Sequence, residues 1–200
     1  MKSLYKRLIL DTATKSIYVA LYLGDEELQV RFQEGLNDHS VTLLPMLEEM
    51  LKTIHWKLED LDEVYIGIGP GSYTGVRIGV SVAKMIGFMH PIDIYTVSSL
   101  FLLASSSDSS EIVSFIDARR NNAFMAYYKQ NNHVLTEVIG DCLENIDTFL
   151  SKVSPLATVI KQGCPKGYKV FTSHMGQKVS ELHDLVPNYL QITEAERKKG

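Results

Sequence analysis

The segment LDTATKSIYVALY, residues 10–22, determines the fold, because its pattern recurs later in the chain. Without gaps it lies over IDARRNNAFMAYY, residues 116–128. Identical residues are few. Both segments nevertheless read as a strand that ends in aspartate, a polar turn and a second strand with an aromatic residue in the same place, which is typical of a β-hairpin. Asp11 and Asp117 therefore occupy equivalent positions.

Similar elements follow each hairpin. Residues 28–32 form a predicted third strand, and residues 39–54 form an amphipathic helix with apolar positions at helical spacing, which Asn37 or Asp38 caps. After the second hairpin, residues 134–139 read as a strand and residues 145–153 as a helix. A duplicated β-β-β-α unit indicates two related lobes.

This organisation predicts an α/β protein with two lobes that resembles the actin/Hsp70/sugar-kinase (ASKHA) architecture, its second lobe degenerate. Residues 1–104 form the first lobe, and the Ser-rich residues 105–110 form a linker. Residues 111–200 form the second lobe. The C-terminal tail is a candidate for a return to the first lobe, and residues 194–199 are a candidate for a helix.

Composition limits the classes of function. The chain has 200 residues, of which 45% are hydrophobic, and a formal net charge of −4. This net negative charge argues against direct binding of the chain to a nucleic-acid backbone. No apolar run approaches the roughly 20 residues that span a bilayer, and no signal peptide precedes the first strand, so we expect a cytoplasmic protein without membrane contact. Cys142 and Cys164 stand in no zinc or disulfide spacing.

The hairpin turns bear on nucleotide chemistry. In the ASKHA superfamily two such hairpins hold nucleotide phosphates, and an aspartate orients magnesium. Neither turn here contains glycine, which lets backbone amides approach a phosphate closely. We therefore expect Asp11 and Asp117 to accept hydrogen bonds from turn amides, and we predict no cofactor and no catalytic residue.

The densest motif is GIGPGSYTGVRIG, residues 67–79. Its glycine spacing fits neither a dinucleotide fingerprint nor a Walker loop. It breaks a strand and opens a helix at Ser72 that runs to about Phe88. The segment Gly71-Ser72-Tyr73-Thr74 is predicted as a structural loop, and anion binding by its free amides is the alternative.

The second helix carries a stripe of small residues at steps of four, namely Gly75, Gly79, Ala83 and Gly87. Glycine inside a helix costs about 0.5–1 kcal/mol relative to alanine, so the stripe requires a packing reason. The helix is either central to the fold or divided between core and interface. Leu44 and Leu47 widen the apolar face of the first helix, which favours a docking surface made by both helices. Replacing Gly79 with leucine is then expected to weaken association and leave the fold intact.

Histidine does not supply a metal site. His39 lacks a second histidine at a ligand spacing, because position 43 is leucine. The serines and the other histidines form no recognisable nucleophile, base and acid set. Arg119 and Arg120 are exposed turn residues or partner contacts. We predict no metal.

The motifs of this chain resemble those of a known protein family over its full length. These motifs are LDTAT at 10–14, HS at 39–40 with LLP at 43–45, the glycine-rich residues 69–79, DARR at 117–120, and PNYL at 187–190 with EAE at 194–196. In this order they resemble the TsaB (YeaZ) family.

The resemblance implies a role in threonylcarbamoyladenosine modification of tRNAs that read codons beginning with A. In that family TsaD transfers the threonylcarbamoyl group, a TsaC-type enzyme makes its adenylate, and TsaE is an ATPase. TsaB is the scaffold that joins TsaD and TsaE. The implied partners are therefore a TsaD-type transferase and a TsaE-type ATPase, with tRNA reached indirectly through the complex and a homodimer when the chain is alone.

An enzymatic interpretation is the alternative. It would be a hydrolase of the glycoprotease type, or residual nucleotide chemistry between the hairpins. The absence of metal ligands, a nucleophile set and glycine-containing hairpins in the sequence disfavours it.

Overall fold

The computed structural model describes residues 4–34 and 39–190 and contains two β-sheets. The first part of the chain forms β1 (Lys6–Asp11), β2 (Ser16–Leu23), β3 (Glu26–Glu34), α1 (His39–Thr53), β4 (Glu63–Gly67), α2 (Tyr73–Met89), β5 (Asp93–Val97) and α3 (Ser99–Ser105). The rest forms β6 (Glu111–Asp117), β7 (Asn122–Asn131), β8 (Val134–Asn145), α4 (Ile146–Leu150), β9 (Thr158–Ile160), α5 (Tyr168–Thr172) and β10 (Gln177–Lys178). Short 3₁₀ turns lie at Leu58–Asp60 and Leu182–Asp184.

The two sheets repeat one topology. The first has the order β10-β5-β4-β1-β2-β3 and the second the order β8-β7-β6-β9. In each, three strands pair antiparallel in succession, and the strand after the helix pairs parallel with the first hairpin strand. The duplicated β-β-β-α unit predicted from the hairpin repeat is confirmed.

Successive residues of β1 face different layers, as the pleat of a strand requires. Leu8 and Leu10 pack with α1 and α2 on one face of the first sheet. Ile9 on the other face packs with α3 and with residues of the second sheet. The order of layers is therefore α1 and α2, first sheet, α3, second sheet, and then α4 over the outer face of the second sheet.

The helix α3 joins the lobes and is absent from the elements predicted above. All of its residues are buried, and it contacts β6, β7 and α5. Ser98 caps it by accepting hydrogen bonds from the amides of Leu100 and Phe101. The sequence signal for α3 was a serine before an apolar run. A helix buried on every side has no polar face, so its sequence lacks the alternation of apolar and polar residues that predicts a helix.

The Ser-rich residues 105–110, predicted as a linker, run from the end of α3 to the start of β6 and are held by hydrogen bonds. Ser105 is the last residue of α3 and is buried. The buried ammonium of Lys169 donates to the Ser107 carbonyl oxygen at 2.6 Å and to Gln130 Oε1 at 2.6 Å. It also donates to Asp108 Oδ1 at 3.1 Å. A cation without exposure to water needs such acceptors, so this segment is fixed.

The C-terminal part returns to the first lobe, so the second lobe ends before it. β10 pairs antiparallel with β5, and Leu185 is buried in the first core. The helix predicted at 145–153 is α4, which ends earlier, at Leu150. The expected cap at Asn37 or Asp38 and the expected helix at 194–199 lie outside the described residues. No helix in the described ranges is long and apolar enough to cross a membrane.

The helix α2 begins in direct contact with the turn of the first hairpin. The Ser72 amide donates to the Ala13 carbonyl oxygen at 2.7 Å, and Thr12 Oγ1 donates to the Gly75 carbonyl oxygen at 2.7 Å. A β-carbon on Gly71 or Gly75 would overlap the carbonyl oxygen of Ala13 or Thr12 respectively. Only glycine permits this approach of backbone to backbone.

The stripe of small residues packs inward, so its assignment to a partner interface is wrong at these positions. A β-carbon on Gly79 would lie 2.7 Å from Thr12 Oγ1 and 3.0 Å from Ile66 Cδ1. Ala83 is buried, and Gly87 contacts Ile94 and Leu182. The reason is that α2 must lie close to its own sheet. Leucine at position 79 would therefore disrupt the fold itself.

The first prediction concerns this contact. Gly75→Ala should destabilise the protein by at least about 2 kcal/mol, because the new methyl group meets a backbone carbonyl that the hairpin holds in place. Gly87→Ala is the matched control. Its methyl group would meet the flexible end of Leu182 and the Ile94 side chain at 3.0 Å.

A gain in helix propensity of about 1 kcal/mol offsets that milder contact, so Gly87→Ala should change stability by less than about 1 kcal/mol. Urea unfolding followed by circular dichroism measures both variants. Equal midpoints for the two variants would contradict the assigned role of Gly75.

Candidate functional site

A cleft of about 1320 Å³ separates the two lobes. The turns of both hairpins line it, together with the first residues of α2, residues 161–163 and residues 188–190. The cleft thus brings together Asp11, Asp117 and the segment Gly71 to Thr74, which are far apart in the sequence. Because it gathers these residues, the cleft is a candidate ligand site.

Asp11 ends β1 on the floor of this cleft. Its Oδ1 accepts hydrogen bonds from the Ala13 amide at 3.1 Å and from Ser99 Oγ at 2.9 Å. Burial raises the pKa of this carboxyl group above its ordinary value, although both hydrogen bonds oppose the shift. The missing side chain of Gly67 makes room for the carboxyl group.

Asp117 ends β6 in the equivalent position but is exposed. It accepts a hydrogen bond from the Arg119 amide at 2.9 Å. The prediction that both hairpin carboxylates bind turn amides is confirmed. Arg119, Arg120 and Asn121 all have positive φ, so this turn differs in conformation from the first one.

The amide of Ser72 is not free for an anion, because it donates to Ala13. Ser72 Oγ accepts a hydrogen bond from the Gly75 amide at 3.2 Å and so caps α2. The predicted structural loop therefore has a physical basis. Tyr73 and Thr74 follow as exposed residues at the rim of the cleft.

A serine, an aspartate and a histidine lie in this region without forming a catalytic relay. Ser99 Oγ donates directly to Asp11, and Ser99 is completely buried. His39 Nε2 lies 3.3 Å from the Thr14 carbonyl oxygen. A relay needs the serine hydroxyl to face an imidazole, with the carboxylate on its other nitrogen. In the described part of the chain, no three His, Cys, Asp or Glu residues are placed to hold a metal ion.

A second candidate site is the outer surface of α1 and α2, called the helical face below. It consists of large apolar side chains that point away from the first core, namely Val41, Leu44, Tyr73, Met85, Phe88 and Met89. Val41 is 70% exposed, whereas Leu47, one of the predicted interface residues, is buried. Leu44 is the predicted interface residue that does lie on this surface.

The sequence of α2 contains a signal for the helical face, namely a second set of residues at steps of four. The predicted docking surface did not use this signal. On α2, Tyr73, Arg77, Ser81, Met85 and Met89 are exposed and follow one another at steps of four. They lie on the side of the helix opposite the small stripe. The two helices start at the same end of the lobe, because His39 contacts Thr14 and Ser72 contacts Ala13.

Comparisons with known proteins agree with this architecture. A family model described as TsaD, tRNA N6-adenosine threonylcarbamoyltransferase, matches residues 33–195. The Bacillus subtilis (strain 168) tRNA threonylcarbamoyladenosine biosynthesis protein TsaB is 29% identical over 220 residues, which cover 96% of this chain and 96% of the relative. The Escherichia coli (strain K12) protein of the same name is 31% identical over 130 residues, which cover 63% of this chain and 56% of the relative.

Two solved structures from Pseudomonas aeruginosa share the fold. One is described as an uncharacterized protein with similarity to peptidase YEAZ, with a TM-score of 0.80 and 22% identity over 94% of this chain and 100% of that one. The other, YeaZ, has a TM-score of 0.76 and 21% identity over 93% of this chain and 100% of that one. The predicted ASKHA-like fold class is confirmed. The model described as TsaD spans most of the chain, and the two relatives named here are TsaB proteins, so this chain belongs to the TsaB (YeaZ) family.

Proposed function

We propose that this chain is a non-catalytic scaffold subunit in the biosynthesis of threonylcarbamoyladenosine in tRNA, and that its helical face docks a TsaD-type transferase. The names of its relatives support the pathway. The observation that carries the scaffold role is the helical face itself. Exposed apolar side chains from two neighbouring helices on one lobe are typical of a protein interface.

The packing of α2 supports this proposal. The stripe of small residues holds α2 against its own sheet. Met85, Phe88 and Met89, near the C-terminal end of α2, therefore face outward. Phe88 lies against the ring of His183, with centroids 5.0 Å apart, and Lys84 donates to the His183 carbonyl oxygen at 3.0 Å. The C-terminal part of the chain thus buttresses one edge of the helical face and leaves the rest open.

Further partners follow from the same proposal. A TsaE-type ATPase would be bridged to the transferase through this chain. A second copy of the chain would occupy the helical face when the transferase is absent, since both occupants compete for the same apolar residues. With a net charge of −4, the chain would meet tRNA indirectly, through the complex.

The non-catalytic assignment is also part of the proposal. The carboxylates that could orient magnesium in an ASKHA enzyme, Asp11 and Asp117, bind their own turns. The alternative is a hydrolase, which the relation of one structural neighbour to a peptidase suggests. The contact that could support it is the hydrogen bond between Ser99 and Asp11, but Ser99 is completely buried, so no substrate reaches its hydroxyl group.

The second prediction tests docking. Val41→Glu and Met85→Glu should each weaken binding to the cognate TsaD-type transferase by about tenfold or more, because a dry interface would have to desolvate an unpaired carboxylate. Calorimetric titration measures the affinity, and circular dichroism verifies the fold. Leu156→Glu is the matched control, since Leu156 is 85% exposed and lies on the second lobe.

Unchanged affinity in both helical-face variants would exclude this surface as the docking site. Sedimentation of the same variants without the transferase reports on the second copy as occupant. Loss of self-association with full transferase binding would assign the face to a homodimer alone.

The third prediction separates scaffold from enzyme. In cells depleted of this protein, Asp117→Asn should restore threonylcarbamoyladenosine in tRNA, whereas Val41→Glu combined with Met85→Glu should not. The modified nucleoside is measured by mass spectrometry of digested tRNA. The purified chain alone should hydrolyse neither ATP nor peptides, and turnover that survives repurification and disappears in Asp11→Asn would establish an enzyme instead.

A further inference from the structure

The helical face contains a positive charge among its apolar side chains. On α2, the exposed residues at steps of four are Tyr73, Arg77, Ser81, Met85 and Met89, and Arg77 is the charged member of this row. Tyr73, Met85 and Met89 belong to the helical face, so Arg77 lies within the same surface. A partner that docks there must cover the guanidinium of Arg77 together with the apolar side chains around it.

Tyr73 fixes the position of this guanidinium. Arg77 Nη1 donates a hydrogen bond to Tyr73 Oη at 2.8 Å, and Arg77 Cζ lies 5.0 Å from the centroid of the Tyr73 ring. The ring of Tyr189 stacks on Tyr73 with centroids 5.2 Å apart and an interplanar angle of 29°. The Asn188 amide donates to the Ile68 carbonyl oxygen at 2.7 Å, which attaches the segment of Tyr189 to the loop before α2. Arg77 is therefore oriented before a partner arrives, so less conformational freedom is lost on docking.

The guanidinium of Arg77 lacks a carboxylate partner within the part of the chain that the structure describes. None of the ion pairs among those residues involves Arg77. A guanidinium carries several N–H donors, and the bond to Tyr73 uses one of them. On an exposed surface water serves the others, but a dry interface removes that water at a high cost in free energy. A partner must therefore bring an acceptor, and a carboxylate matches a guanidinium in both charge and geometry.

A second copy of this chain is a poor source of that carboxylate. The cations of α1 and α2, which are Lys52, Arg77 and Lys84, outnumber their acids, Glu48 and Glu49. Lys52 Nζ already pairs with Glu48 Oε1 at 2.7 Å. In a two-fold contact the same patch faces itself, so two Arg77 side chains would enter one interface. Charge complementarity therefore favours a different protein that contributes a carboxylate of its own.

We propose that Arg77 is the specificity-determining residue of the helical face, and that it favours a transferase with a carboxylate against its guanidinium over a second copy of this chain. This inference rests on the docking function proposed above and names the chemistry that the face recognises. The carboxylate accepts hydrogen bonds from N–H groups that Tyr73 leaves available. In self-association the same guanidinium loses water without an equal replacement, which disfavours the wrong partner.

The fourth prediction compares the two partners. Arg77→Met, measured without tRNA, should weaken binding to the cognate transferase by about tenfold or more, because the carboxylate of the transferase loses its cation in a dry interface. Self-association of the same variant should become tighter or stay within about twofold of the parent, as for an ordinary surface substitution. Calorimetric titration measures the first affinity, sedimentation the second, and circular dichroism verifies the fold.

Two further variants separate the charge from its orientation. Arg120→Met is the matched control, since it removes the same charge from an exposed turn of the second lobe and should leave both affinities unchanged. Tyr73→Phe keeps the ring and removes the hydroxyl that accepts from Arg77, so it should weaken transferase binding by about two- to tenfold. In the Arg77→Met background it should have no further effect, because the hydroxyl acts through Arg77. Additive effects would overturn this positioning by Tyr73.

The outcomes distinguish this inference from the docking function. Full transferase affinity in Arg77→Met overturns the inference and leaves docking intact, whereas a parent protein that does not bind the transferase overturns both. Equal weakening of transferase binding and self-association also overturns the inference, and Glu48→Gln and Glu49→Gln then show whether the second copy supplies the carboxylate. If Arg77→Met does not fold, the parent protein suffices, because added salt should weaken its transferase binding more than its self-association. The opposite order would contradict the proposal.

Discussion

The contact between the first hairpin turn and the start of α2 is the constraint on which the rest of the structure depends. Two backbone segments meet there through the hydrogen bonds of Ser72 to Ala13 and of Thr12 to Gly75. Glycine at positions 71 and 75 is what allows them to approach. This contact sets α2 against the first sheet, and the outward direction of the helical face is a consequence of it.

The two lobes use the same unit for different purposes. In the first, the unit carries a 15-residue α1 beside a 17-residue α2, which cover one face of the sheet and still present apolar residues to the outside. In the second, the corresponding helix α4 has 5 residues. The second lobe therefore offers little helical surface, and its sheet mainly packs on α3 and supports the C-terminal part of the chain.

Several acidic side chains stabilise the architecture through hydrogen bonds. Asp11 and Asp117 each stabilise the turn that follows their strand, and Asp108 accepts hydrogen bonds from Lys166 and Lys169 beside the Ser-rich segment. Asp141 differs because no cation pairs with it among the described residues and because its partners come from two other segments of the chain. Burial raises the pKa of Asp141 to about 6, whereas hydrogen bonds from Lys166 and Lys169 lower the pKa of Asp108 to about 2.

The sequence by itself determined the duplicated hairpins, the fold class, the role of both hairpin aspartates and the presence of two apolar helices. These features are local, because strand period, turn residues and helix period are set by neighbours in the chain. It could not determine which side of α2 faces the sheet, because a stripe of small residues has the same pattern against a sheet as against a partner. Only the tertiary structure decided that Gly79 is internal and Val41 external. Only the tertiary structure also brought Ser98, Asp141 and Asn188 together, because contacts between distant segments depend on how the layers pack and leave no period in the sequence.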